Sequence, residues 1–155
     1  LISVTKQESA SVQGGSSLRA GKAFAAIAQA NPSCAMAHWG TAMTLFGNPF
    51  TWPLSGKALP DGWAAVEKAK AAQAKTQRER DYIGAVEAFY RDWDKVEHRT
   101  RALAYAKAME ELTQRYPEDT EASVFYALAL DVTKPESIAA MRASIAFCAT
   151  ISLGL

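Results

Sequence analysis

Short helical segments separated by stop and start signals dominate this chain and leave little room for a sheet. From Leu18 onward apolar residues recur three and four apart, the spacing that gathers them on one side of an α-helix. The separations are chemical. Asn31-Pro32 ends a first helix over Ser17–Ala30, because proline crowds the helical backbone of the residue before it. Ser33 is placed to cap a second helix, Cys34–Phe46, which carries Met36, Trp39, Met43 and Phe46 at helical spacing. Asp61 is placed to cap a third, from Gly62 to about Ala74, with Trp63, Val66 and Ala69 on one face. Thr76-Gln-Arg-Glu79 is a capping box, whose hydroxyl and carboxylate serve each other's free backbone donors. It opens a fourth helix with the stripe Tyr82, Val86, Phe89, Tyr90 and Trp93. Asp94-Lys-Val-Glu97 offers a similar start to a fifth helix, which Tyr116-Pro117 stops. Asp119 opens a sixth, carrying Phe125, Tyr126, Ala129 and Leu130, and Pro135 suits the first turn of a seventh. No stretch alternates with period two, so the expectation is an all-α fold of about seven helices.

Two stretches lack this periodicity. Leu1–Ser17, rich in Ser, Gln and Gly, reads as a loose lead-in to a helical domain over 18–155. Gly47–Gly62 contains Pro49, Pro53 and Pro60 with Phe50 and Trp52, and reads as one long loop. Loops of that length are often binding elements, which points to Trp52 and Trp63 as partner contacts.

Composition excludes several classes of function. Lysine and arginine number 17 against 16 acidic residues, a net charge of +1, so no basic excess favours nucleic acid or an anionic membrane surface. The longest mostly apolar stretch, Ile138–Leu155, is interrupted by Arg142 and small polar residues and does not read as a membrane span. No signal-peptide pattern opens the chain, which favours the cytoplasm, or the periplasm if a leader has been removed. Cys34 and Cys148 stand too far apart for a disulfide framework or a zinc cluster.

Catalytic signatures are equally scarce. His38 and His98 are the two histidines, with no HExxH or CxxC, and no GxSxG, Walker or GxGxxG loop occurs. No metal and no cofactor is expected. The densest acid–histidine group is Asp92, Asp94, Glu97 and His98, which with Glu79 and Asp81 defines an alternative: a small all-helical hydrolase using acid–base chemistry.

A repeat signal completes the reading. Ala20-Gly-Lys-Ala-Phe24 followed by Asn31-Pro32 fits the second half of the tetratricopeptide pattern, and Ala35 to Leu45 falls where the next repeat's first helix belongs. A second copy runs through Met109, Leu112, Tyr116-Pro117, Ala122, Phe125 and Leu130. Pro32 and Pro117 lie 85 residues apart, not a multiple of the roughly 34-residue period, which reads as an interrupted array. On these residues the chain resembles tetratricopeptide repeat proteins. Asn31 to Gly40, Arg78-Glu-Arg-Asp-Tyr82, Phe89 to Asp94 and Tyr116 to Ala122 resemble bacterial members of that superfamily, over about Leu18 to Asp131. The resemblance implies a short right-handed solenoid of antiparallel helix pairs that acts as a protein-interaction scaffold. Its groove would be lined by Met36, Trp39, Met43 and Phe46, with Glu121, Val124 and Leu128, and would take a peptide or protein partner. The seventh helix, with Ile138, Met141, Ile145, Cys148 and Ile151 and few charges, points to self-association through the C-terminal segment.

Overall fold

The computed structural model describes residues 19–47, 54 and 56–133, and within them the chain is all-helical. The helices are α1 over residues 19–30, α2 Ala35–Phe46, α3 Ala58–Ala71, α4 Gln77–Tyr90, α5 His98–Arg115 and α6 Thr120–Thr133, with no strand among the described residues. The lead-in, Trp52, and the seventh helix with its expected self-association all lie outside the described residues. From α2 onward each helix packs on the next, and α2 also packs directly on α4. No described helix is long and apolar enough to cross a membrane.

The local signals act largely where the sequence places them. Thr76 Oγ1 accepts from the Glu79 N–H at 3.2 Å while Glu79 Oε2 accepts from the Thr76 N–H at 3.1 Å, so the capping box opens α4. Four starts and ends differ. Ser33 does not cap α2: its hydroxyl donates to Asn31 Oδ1 at 2.7 Å, and Cys34 is the N-cap residue without a side-chain bond. Helix α3 begins at Ala58, so Pro60 and Asp61 sit in its first turn and the loop after α2 is shorter than 47–62. A missing proline donor costs nothing there, and the aspartate faces the positive end of the helix dipole. Glu97, not Asp94, caps α5, accepting from the Thr100 N–H at 3.1 Å. Trp93 falls beyond the end of α4, in the turn that leads to α5.

Ring contacts set the register of the helices. Trp39 meets Tyr82 at 5.6 Å between centroids, and Phe46 meets Phe89 at 4.6 Å, so α2 and α4 run parallel with matched ends. Both pairs are 43 residues apart, and Tyr82 to Phe125 is 43 again. The correspondence continues through buried positions: Ala42 with Ala85, Val66 with Met109, and Ala69 with Leu112. It also aligns Ser33, Thr76 and Asp119 at the three helix starts. An offset of 43 residues thus relates α2–α3 to α4–α5, and α4 to α6, and the 85 residues between Pro32 and Pro117 are close to twice that offset rather than to a multiple of 34.

Glycines show how closely the helices approach. A Cβ on Gly40 would fall within the ring of Phe24 on α1, and one on Gly62 of α3 would fall on the ring of Tyr90 on α4. Gly84, on the exposed side of α4, has nothing within 4 Å of where a Cβ would stand. Alanine improves helix propensity by about 1 kcal/mol over glycine but cannot be accommodated against a packed ring. Gly84→Ala is expected to stabilise by about 1 kcal/mol, whereas Gly40→Ala and Gly62→Ala should each destabilise by about 1–3 kcal/mol. Urea titration of the three variants reads the difference, and three shifts of one sign would contradict this packing.

Candidate functional site

The side chains with the strongest claim to a site come together where α2, α4 and α6 meet. Trp39 is the centre. Its ring stands edge-on to Tyr82 on α4 at 5.6 Å and to Phe125 on α6 at 6.4 Å, so one residue links all three helices. Met36 and Met43 flank it on α2, one helical turn to either side, and all three stay half-buried rather than sealed. The result is a partly open apolar seam along α2. The Trp39 indole N–H is itself enclosed and has no acceptor among the described residues.

The expected groove residues do not all belong to this seam. Phe46 is 2% exposed and wedged among Phe89, Tyr90 and Tyr105, so it is core and not groove surface. Its place in the stripe with Met36, Trp39 and Met43 is right in register, but α4 and α5 close over that end of α2. Trp63 sits on α3 and packs half-buried against the core, away from the α2–α4–α6 junction. On α6, Val124 is 51% exposed and Leu128 half-buried. Val124 lies about 100° round the helix from Phe125, the residue that faces Trp39. Glu121 is exposed at the start of the same helix.

Two carboxylate-centred networks lock one edge of the junction. Asp119 Oδ2 accepts from Arg78 Nε at 2.6 Å and from the Tyr82 hydroxyl at 2.9 Å, while its other oxygen accepts from the Ala122 N–H at 3.3 Å. The aspartate thus caps α6 and ties it to α4 at once. Asp81 accepts from Arg115 Nη1 at 2.6 Å, the Tyr116 hydroxyl at 2.9 Å and Gln77 Nε2 at 2.8 Å. Tyr82 joins the two regions: its ring packs on Trp39 and its hydroxyl serves Asp119. These pairings are not legible locally, because the partners of Arg78, Asp81 and Tyr82 lie 34 to 41 residues away.

The Arg78 hydrogen bond is the main reason the Asp119 carboxyl is held down to about 2, and the hydrogen bonds of Tyr82 and Ala122 act in the same direction. At Asp81 burial pushes the carboxyl up, but the bonds from Arg115, Gln77 and Tyr116 outweigh it and leave it below its ordinary value. Between the folded value of about 2 and an unfolded value near 4, the unfolded chain binds more protons at Asp119, so folding strengthens as pH rises. That stability is present above about pH 4 and lost as pH falls through about 2. Because Arg78 is half exposed, solvent screening limits the contribution to about 1 kcal/mol. Asp119→Asn should destabilise at neutral pH and flatten the acid limb of a stability–pH profile. A limb identical to that of the unmodified chain would remove Asp119 as its source.

The acid–histidine residues divide between the two ends of α4: Glu79 is engaged in the capping box and Asp81 in its ion pair at its start, whereas Asp92, Asp94, Glu97 and His98 follow its other end. Fourteen helical residues separate those ends by about 20 Å. Glu97 is spent as a cap, and His98 stands edge-on to Phe89 at 5.7 Å, with burial pushing its imidazole down from its ordinary value. Among the described residues no group of three or more His, Cys, Asp or Glu side chains is placed to hold a metal ion.

Beside His98 lies a residue that sequence reading missed. Arg101 is 4% exposed, donates to the carbonyls of Phe89 at 3.0 Å and Val96 at 3.1 Å, and stacks on the Phe89 ring at 5.0 Å. It caps the negative end of α4 with a buried cation. Arg101→Ala removes donors from two enclosed carbonyls and should cost about 2–4 kcal/mol in a denaturation experiment. A loss below about 0.5 kcal/mol, the scale of an ordinary surface substitution, would show that the cap is dispensable.

Comparisons of the chain with protein-family models, with curated proteins and with solved structures each give no match. The functional reading therefore rests on the geometry of the chain itself.

Proposed function

We propose that this protein is an interaction module built as a short solenoid of helix pairs of the tetratricopeptide type, and that it holds an apolar peptide segment along the exposed side of α2. The observation that carries this reading is the seam of Met36, Trp39 and Met43, anchored on Tyr82 and Phe125 yet still half open. Methionine beside a rigid aromatic ring suits such a role, because an unbranched, polarisable side chain adapts to varied apolar partners. The backbone around the seam is held by helix packing and by the Asp119 and Asp81 networks, so little ordering entropy opposes binding.

Trp39 has a double role. It is the contact that unites three helices, so Trp39→Ala should destabilise the fold by about 3 kcal/mol, and loss of binding in that variant is not informative by itself. The methionines carry the test. Peptides selected from a random display library on the purified chain are expected to bind Met36→Ala and Met43→Ala about tenfold more weakly, a loss near 1.4 kcal/mol. Thermal unfolding of Met36→Ala should stay within a few degrees of the unmodified chain. Selected peptides that bind both variants as tightly as the unmodified chain would overturn the reading.

A further inference from the structure

A second concave surface lies between α3 and α4. It is a hollow of about 520 Å³ floored by Ala69 and Ile83, a volume in the range of small-molecule sites. Trp39 packs on the same buried cluster, yet neither it nor Met36 nor Met43 lines the hollow. On α4 the bordering residues are Arg80, Ile83, Gly84 and Glu87, whose helical spacing puts them on a single face.

Two of the bordering residues are unfavourable for the fold by themselves. Gly84 sits in the middle of α4, where glycine is a poor helix former, and nothing lies within 4 Å of where a Cβ would stand. The 43-residue offset puts Thr41 of α2 and Ala127 of α6 at the same place, so helix packing does not call for glycine there. Gln73, just past the end of α3, holds a φ of 53°, which glycine adopts freely and glutamine does not. The chain thus gives up a side chain on one wall and keeps one under strain on the other. Local rules broken together around one concavity mark a site rather than a core.

The rim is charged. Glu87 is held by Lys70 at 2.6 Å and by Arg91 at 2.8 Å, so its carboxylate is covered. Arg80 has no carboxylate partner among the described residues. It donates twice to Gln77 Oε1, at 3.1 and 3.2 Å, and once to the Ala74 carbonyl at 2.9 Å. Those neutral acceptors fix the guanidinium plane, but they leave its charge uncompensated and part of its donor fork unused.

We propose that this hollow binds a small carboxylic acid with an apolar body, the carboxylate on Arg80 and the body over Ala69, Ile83 and the bare backbone of Gly84. One uncompensated guanidinium matches one negative charge, which favours a carboxylate over a doubly charged phosphate. The assignment is independent of the peptide-binding reading of α2, because the two surfaces share no lining residue.

Octanoate is the probe, titrated into the isotopically labelled full chain and followed through backbone amide shifts. The amides of Gln73, Ile83 and Gly84 are expected to move together, with a Kd of about 1 mM. Octanol, which has the body without the charge, should bind about tenfold more weakly. Arg80→Gln should weaken octanoate about tenfold and leave octanol unchanged. Gly84→Leu fills the hollow and should abolish binding of both, while its unfolding temperature stays at or above that of the unmodified chain. Shifts centred on Met36 and Met43 would move the acid to the seam on α2 and overturn the proposal. Octanoate binding undiminished in both variants, or no shifts at about 10 mM, would overturn it outright.

Discussion

Phe46 lies where three helices meet, with Phe89 at 4.6 Å, Tyr105 at 4.8 Å and Tyr90 at 6.4 Å. It is the last residue of α2, and its three ring partners belong to α4 and α5, so it joins the first described helix pair to the second. Burying a phenyl ring contributes about 2–3 kcal/mol, and each edge-on ring contact about a further kcal/mol. No cap or surface ion pair in the structure is of that size. The parallel alignment of α2 and α4 depends on this contact at one end and on Trp39 with Tyr82 at the other. Once those two points are held, Ala42 and Ala85, Val66 and Met109, and Ala69 and Leu112 fall at matching buried places.

Small and polar residues then refine what the rings impose. Ala42, Ala69 and Ala85 are almost wholly enclosed, and at such points a longer side chain would push the helices apart. Gly40 and Gly62 go further and let rings rest on bare backbone. At the α4–α6 edge, packing alone would leave the angle of α6 loosely defined. Asp119 settles it by capping α6 while bonding Arg78 and Tyr82. Asp81 does the same between α4 and the end of α5. Arg101 closes the end of α4, its charge set against the Phe89 carbonyl of that helix and the Val96 carbonyl of the following turn rather than a carboxylate.

This division bears on function. Residues that serve the helix–helix contacts are unavailable to a partner, and that is the fate of Phe46 and Tyr82, while Glu79 and Glu97 are engaged at their own helix starts. What remains half open among the described residues is the side of α2 carrying Met36, Trp39 and Met43.

The sequence by itself determined that this protein is helical and, within a few residues, where most of its helices begin and end. That information is local: proline geometry at Asn31-Pro32 and Tyr116-Pro117, the Thr76–Glu79 box and the three-and-four spacing of apolar residues all act within one or two helical turns. The site was legible in part. Trp39, Met36 and Met43 stood out because their spacing marks one helix face, but a face does not say whether the next helix covers it. That was decided only in the tertiary structure, where α4 and α5 enclose Phe46 and leave Trp39 half open. The 43-residue offset between α2 and α4, the pairing of Arg78 with Asp119 and the burial of Arg101 were likewise hidden. Each depends on groups far apart in sequence, or on the path of a turn, that meet only when whole helices dock. Local spacing carries the energy of helix starts and stops, but contacts between helices carry the energy that selects which side of each one meets water.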